Sequence, residues 1–242
     1  MRMTVATALS VLLAATVAVA STPPFGGDDT GFEPPTAEAR VCASKVLRNA
    51  GRLVDCLARC HVNGVNRAFA GAPFADEICE SACIVDYEQQ AVKIVTRYDC
   101  PVCVDHTLLG SNLRDFFDQE NGLVYCAGTV ALSEPGGDDD PGFVPSSAAA
   151  LRCQGIVEAN VGRLARCVLK CHGKAGDKAF AGRAFDEEGC EDRCQVHLVT
   201  ANLPGACPAC INLPAIGGDV RDTLDANNGL VYCASPAGSF VD

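Results

Sequence analysis

Sixteen cysteines fall into two sets of eight with a shared spacing. Cys42, Cys56, Cys60, Cys79 and Cys83 recur 111 residues later as Cys153, Cys167, Cys171, Cys190 and Cys194, and Cys100, Cys103 and Cys126 recur 107 residues later as Cys207, Cys210 and Cys233. The offset changes because the first copy carries four extra residues between Cys83 and Cys100, about one helical turn. Other residues keep the same register. Asn49-x-Gly51-Arg52-Leu53 matches Asn160-x-Gly162-Arg163-Leu164, and Asn121-Gly122-Leu123-Val124-Tyr125-Cys126 matches Asn228-Gly229-Leu230-Val231-Tyr232-Cys233. Such self-similarity marks a chain built from two copies of one unit. An even cysteine count in each copy lets each unit close its own bonds.

Sulfur chemistry makes the compartment the next question. Arg2, an apolar run through Val19 and the small-x-small triplet Ala18-Val19-Ala20 read as a secretory signal over residues 1–20, too short to span a bilayer. Export to the medium, the periplasm or the cell surface follows, and cysteines there pair as disulfides. No later segment is apolar enough for membrane insertion after signal cleavage. Without Arg2 the chain has 18 basic and 30 acidic residues, a formal charge of −12. That balance argues against nucleic acid as a partner. With no tryptophan and four tyrosines, the chain also lacks a surface for stacking bases or sugars.

The periodicity is helical. Cys42, Val46, Leu53, Leu57 and Cys60 form one stripe over residues 38–61, with Pro34-Pro35-Thr36 as a start signal and Asn63-Gly64 or Gly173 as a stop. A second helix begins near Asp76 or Asp186 and carries Cys79, Cys83, Tyr87, Ala91 and Ile94. Pro101 and Pro204 end it. A short third helix is expected at 111–119 and 218–226, and little reads as strand. In an antiparallel hairpin, facing residues share a constant sum of residue numbers, because each residue rises by about 1.5 Å. Cys60 with Cys79 shares one such sum with Cys56 and Cys83. Cys171 with Cys190 likewise shares one with Cys167 and Cys194. The same rule brings Cys42 near Cys100 and Cys153 near Cys207, and leaves Cys103–Cys126 and Cys210–Cys233. A swap of Cys100 with Cys103, or of Cys207 with Cys210, stays open.

The twin Cys-x3-Cys motifs, Cys56/Cys60 with Cys79/Cys83 and Cys167/Cys171 with Cys190/Cys194, resemble the disulfide-stapled α-hairpin proteins, which include small plant inhibitor peptides and small intermembrane-space chaperones. The resemblance covers residues 56–83 and 167–194 and implies the same inter-helix pairing. It carries no activity or partner. Otherwise the chain reads as an exported cysteine-rich bacterial repeat protein.

Three other chemistries fit parts of the pattern. Cys-x3-Cys-His, at Cys56/Cys60/His61 and Cys167/Cys171/His172, is a variant of covalent c-type heme attachment. It would strand Cys79 and Cys83, and its second axial ligands do not match: His106 corresponds to Leu213, and His197 to Asp86. The simpler reading of His61 and His172 is a last-turn histidine at the negative end of a helix. A four-sulfur zinc site is disfavoured by an oxidising compartment. Cys100-Pro-Val-Cys103 and Cys207-Pro-Ala-Cys210 look like glutaredoxin-type motifs, but follow a helix C-terminus where a low thiol pKa is not expected.

The expected architecture is all-α: two tandem repeats, each a disulfide-stapled antiparallel helical hairpin plus a short third helix and a C-terminal tail. Its boundaries are a signal (1–20), a Gly/Asp/Pro linker (21–36), repeat 1 (37–128), a second linker (129–145), repeat 2 (146–235) and a tail (236–242). The inter-helix loops, with Phe69, Phe74, Phe180 and Phe185, are the candidate binding elements for a protein partner. Arg52 and Arg163 read as a solvated or salt-bridged face. No catalytic set, cofactor or metal is assigned, and the expected role is an exported, non-catalytic structural or binding protein.

Overall fold

The computed structural model describes residues 25, 30–73, 75–132, 141–204 and 207–235. Six helices dominate: α1 (Ala37–Phe69), α2 (Asp76–Arg97), α3 (His106–Val124), α4 (Ala148–Phe180), α5 (Glu187–Val199) and α6 (Leu213–Asn228). Thr36 and Ser147 cap the two long helices. The Ala39 N–H donates to Thr36 Oγ1 at 3.1 Å, and the Ala150 N–H to Ser147 Oγ at 3.1 Å. Both helices run past the expected stops at Gly64 and Gly173 and end at Phe69 and Phe180, before Gly71 (φ +67°) and Gly182 (φ +62°). The left-handed backbone at those two glycines is what ends the helix. Gly64 is buried inside α1, and a Cβ on Gly173 would sit 3.7 Å from Leu47, so packing between helices overrides their weak helix propensity.

The third helices are longer than expected. Asp105 and Asn212 start them by accepting the N–H groups of Leu108 (2.8 Å) and Ala215 (3.3 Å). The segment between Cys83 and Cys100, which carries the four extra residues, holds most of α2, and α2 has 22 residues against 13 in α5.

α1 and α4 lie side by side, antiparallel. Small residues set the approach: a Cβ on Gly162 would meet Ala58 Cβ at 3.2 Å, and one on Gly51 would meet Arg166 Cγ at 3.0 Å. α2 and α3 cover α1, α5 and α6 cover α4, and α3 touches α6. One continuous apolar core runs through both halves, from Cys42, Leu53 and Leu57 to Val157, Leu164 and Val168.

All sixteen cysteines are paired, with Cα separations from 5.3 to 6.1 Å. Cys56–Cys83 and Cys60–Cys79 staple α1 to α2; Cys167–Cys194 and Cys171–Cys190 staple α4 to α5. Cys42–Cys100 and Cys153–Cys207 fasten the far ends of the hairpins. The remaining expectation is corrected. Cys103 bonds Cys233 rather than Cys126, and Cys126 bonds Cys210 rather than leaving Cys210 to Cys233. Geometry forbids the local alternative. Cys103 and Cys126 flank α3, whose 19 residues extend about 28 Å, whereas a disulfide needs Cα atoms within roughly 7 Å. α3 and α6 run antiparallel, with Asn112 Nδ2 donating to Asn227 Oδ1 at 2.6 Å, so the end of each meets the beginning of the other. The halves therefore do not close all their own bonds.

The backbone repeats this exchange. The Phe32 N–H donates to Tyr232 O at 2.7 Å, and the Phe143 N–H to Tyr125 O at 2.8 Å, so the lead-in to each half binds the tail of the other. Residues 129–131 and 143–145, expected as linker, belong to strands β1 (Gly128–Ala131) and β2 (Phe143–Pro145), an antiparallel pair with Val130 opposite Val144. Gly128 is required there, since a Cβ would collide with Val144 O. The signal over 1–20, the acidic stretch 136–140 and the tail from 236 lie outside the described residues. No described helix is long and apolar enough to cross a membrane.

Candidate functional site

Two features stand out: a basic face along the α1–α4 seam, and a histidine–carboxylate cluster buried in each half.

The basic face follows from how the long helices pack. α1 supplies Arg48 and Arg52, and α4 supplies Arg166, Lys170 and Lys174, all exposed and lining one groove of about 440 Å³. The groove has two carboxylates, and both are paired: Asp55 with Arg166, and Asp177 with Arg40 at 2.7 Å. Arg48 and Arg52 also line a neighbouring groove of about 310 Å³, with Lys45, Lys93 and Arg97. Lys45 Nζ and the Arg97 guanidinium each sit 5.5 Å from the Tyr98 ring centre. Together the grooves gather eight of the chain's 19 basic residues, in a protein with formal charge −11. Arg48, Arg52, Lys170 and Lys174 have no ion pair to the protein's own carboxylates among the described residues.

The clusters form because of the staples. Cys60–Cys79 sets the neighbouring His61 and Glu80 side by side, and Cys171–Cys190 does the same for His172 and Glu191. His61 is fully buried. Its Nε2 lies 2.9 Å from Glu80 Oε1 and 3.7 Å from Asp118 Oδ1 of α3, and its Nδ1 lies 3.3 Å from Glu158 Oε1 of α4. His172 is equally buried, with Nε2 at 2.9 Å from Glu191 Oε1, 3.2 Å from Asp225 Oδ1 and 3.7 Å from Glu187 Oε1. An arginine stands beside each: Arg114 Nε is 3.6 Å from Asp118 Oδ2, and Arg221 Nε is 3.2 Å from Glu191 Oε2.

Burial alone would drive the His61 imidazole down. The carboxyls of Asp118, Glu158 and Glu80 overcome it and hold the ring well above the ordinary histidine range. Burial opposes the charge of His172 in the same way, and hydrogen bonds to Asp225 and Glu191 with the charges of Glu191 and Glu187 carry it up to about 9. Glu120, buried on α3, is pushed up to about 8 by burial and by the charges of Asp219 and Glu158.

The residues singled out by sequence are placed as follows. His61 and His172 are not last-turn histidines, because the helices continue eight residues beyond each. The sulfurs of both Cys-x3-Cys-His motifs are bonded to other cysteines, which leaves none for a heme thioether or a zinc thiolate. His106 pairs with Glu88 at 3.1 Å, and His197 is exposed on α5. Within each Cys-Pro-x-Cys the two cysteines bond elsewhere: Cys100 to Cys42, Cys103 to Cys233, Cys207 to Cys153 and Cys210 to Cys126. The expected binding loops are mostly helix ends. Phe69 and Phe180 close α1 and α4, half-exposed; Arg40 lies 5.5 Å from the Phe180 ring centre; Phe185 packs on the core; Phe74 lies outside the described residues. Arg52 joins the basic groove, and Arg163 donates to Asn160 Oδ1 at 2.9 Å.

Sequence reasoning missed the carboxylates, although a signal was present. Asp76, Glu80, Cys83 and Tyr87 follow one helical stripe, as do Glu187, Glu191, Cys194 and Leu198, so acids occupy core positions in both halves. No protein-family model, curated protein or solved structure matches the chain.

Proposed function

We propose that the chain is an exported, non-catalytic binding protein, built from two disulfide-stapled helical repeats, whose working face is the basic groove along the α1–α4 seam. The observation that carries this reading is the set of exposed cations, Arg48, Arg52, Lys170 and Lys174, gathered without carboxylate partners among the described residues of an acidic protein. Natural acidic surfaces leave such cations close to their own acids; here two helices bring them together and leave them available. The groove is open, elongated and flanked by Lys45, Lys93 and Arg97, which suits an extended acidic segment of a protein partner rather than a compact ligand. Eight disulfides suit an oxidising, extracellular setting, where the scaffold holds this face rigid.

A glutamate-rich peptide titrated against the oxidised chain at low ionic strength tests it. Binding should weaken steeply as salt rises, because the contacts are exposed charges. A triple variant, Arg48→Glu/Arg52→Glu/Lys170→Glu, should lose at least about tenfold in affinity, or roughly 1.4 kcal/mol. No binding by the wild type, or equal binding by the variant, rejects the reading. Capture of a sulfated polysaccharide but not the peptide would reject the acidic-protein partner and leave the groove as the site.

A further inference from the structure

We propose that the two buried clusters are divalent metal sites, each holding one first-row transition ion such as zinc between the histidine Nε2 and the carboxylates that converge on it. This does not rest on the groove, which faces solvent and shares no residue with either cluster.

An imidazole N–H is a single donor. Yet Nε2 of His61 faces Glu80 and Asp118, and Nε2 of His172 faces Glu191, Asp225 and Glu187, at the five distances given above, from 2.9 to 3.7 Å. One proton serves one of these oxygens well. A cation at the point where they converge serves all of them. Donor atoms around a tetrahedral ion bound at 2.0–2.1 Å stand about 3.3 Å apart, in the middle of the observed range. One ligand atom each from His61, Glu80 and Asp118, and from His172, Glu187 and Glu191, lies within 4.8 Å of the others in its set.

A second observation points the same way. Glu80 Oε2 and Glu158 Oε2 are buried and have no hydrogen-bond partner among the described residues. The other oxygen of each contacts His61. A buried carboxylate oxygen without a partner is costly, and an ion removes that cost at Glu80. Glu158 touches Nδ1 rather than Nε2, the place of the outer carboxylate that holds a ligating histidine in the right tautomer and orientation.

Charge points the same way. His61 is faced by Glu80, Asp118 and Glu158, and His172 by Glu187, Glu191 and Asp225. A divalent ion offsets more of that buried negative charge than a single proton on the imidazole does. A nitrogen with two or three carboxylate oxygens suits zinc or manganese better than calcium, which takes oxygen shells, or a thiolate-selective ion.

The test uses the full-length oxidised chain. It is stripped with a chelator, reloaded with zinc chloride, freed of excess metal and assayed by atomic emission. The expected result is two ions per chain, with E80Q and E191Q each losing one and E80Q/E191Q losing both. A folded wild type that retains no zinc overturns the proposal. So does a double variant that retains two ions, which would place them on surface acids; loss only with E191Q overturns the first site. If a glutamine variant misfolds, cobalt(II) in the wild type decides. The strong visible absorption of a low-symmetry protein site supports the proposal, and the weak spectrum of hydrated cobalt overturns it.

Discussion

His61 faces Glu158 of the other half of the molecule as well as Glu80 and Asp118 of its own; His172 faces Glu187, Glu191 and Asp225, all of its own half. The residue that corresponds to Glu158 is Leu47, buried against α4, and the one that corresponds to Glu187 is Asp76, one methylene shorter. The first cluster therefore spans the α1–α4 seam, whereas the second is confined to one stapled hairpin and its third helix. One buried histidine thus draws a carboxylate across the α1–α4 seam, and the other meets carboxylates of its own half.

The largest expected effect comes from deleting either histidine. His61→Leu and His172→Leu each strand buried carboxylates and should cost about 3–5 kcal/mol in denaturant unfolding of the oxidised chain. The two should differ in reach. Hydrogen exchange in His61→Leu should quicken along both α1 and α4, and in His172→Leu only along α4, α5 and α6. Identical exchange patterns would break the contrast.

Next comes the exchanged disulfide pair. Cys126→Ser/Cys210→Ser opens a bond with a sequence separation of 84 residues and should lower stability by about 2–4 kcal/mol. The second cluster should stay intact, and the first should loosen with the seam it spans. Imidazole resonances of His61 and His172 followed through thermal unfolding would show whether His61 responds first.

A smaller change converts one cluster toward the other. Glu158→Leu gives the second half the residue that the counterpart position, Leu47, already has in the first. It removes the Nδ1 partner of His61 and should cost about 1–3 kcal/mol. A neutral result would mean that Glu158 is incidental and the clusters are equivalent.

The smallest concerns pH. Tyr87 in the first half and Tyr232 in the second have phenols pushed up chiefly by burial, beyond the ordinary tyrosine range. The folded state keeps their protons longer than the unfolded chain does. Their contribution is therefore intact below about pH 10, the unfolded value, and declines as pH rises above it. Ultraviolet difference absorbance should show both ionising late, together with unfolding. Ionisation of Tyr232 in the ordinary range, with the fold intact, would mean that the second half is the looser one.

Much of the fold was legible because a helix converts sequence spacing into height. Facing cysteines at a constant sum, a start signal at Pro34-Pro35-Thr36 and acids at Asp76 and Glu187 define hairpins without reference to anything distant. The cross-half bonds needed one more step. The separation of Cys103 and Cys126 by a helix excludes a local bond, but only if α3 is given its full length, and the capping signal at Asp105 was passed over. The basic groove was not legible at all. Arg48 and Arg52 meet Arg166 and Lys170 only once two helices more than a hundred residues apart in sequence are docked, and net charge conceals such segregation. The clusters were half legible: the paired histidines were visible, but Glu80 and Glu191 drew no attention although they sit on the core stripe.

Cys103–Cys233 and Cys126–Cys210 have a consequence for how the molecule would come apart. A single peptide cleavage between Leu132 and Pro141 divides the polypeptide into two chains, and each carries one cysteine of both exchanged bonds. Nothing is released. The nicked product migrates as one species until a reductant is added, so its integrity passes from the backbone to sulfur.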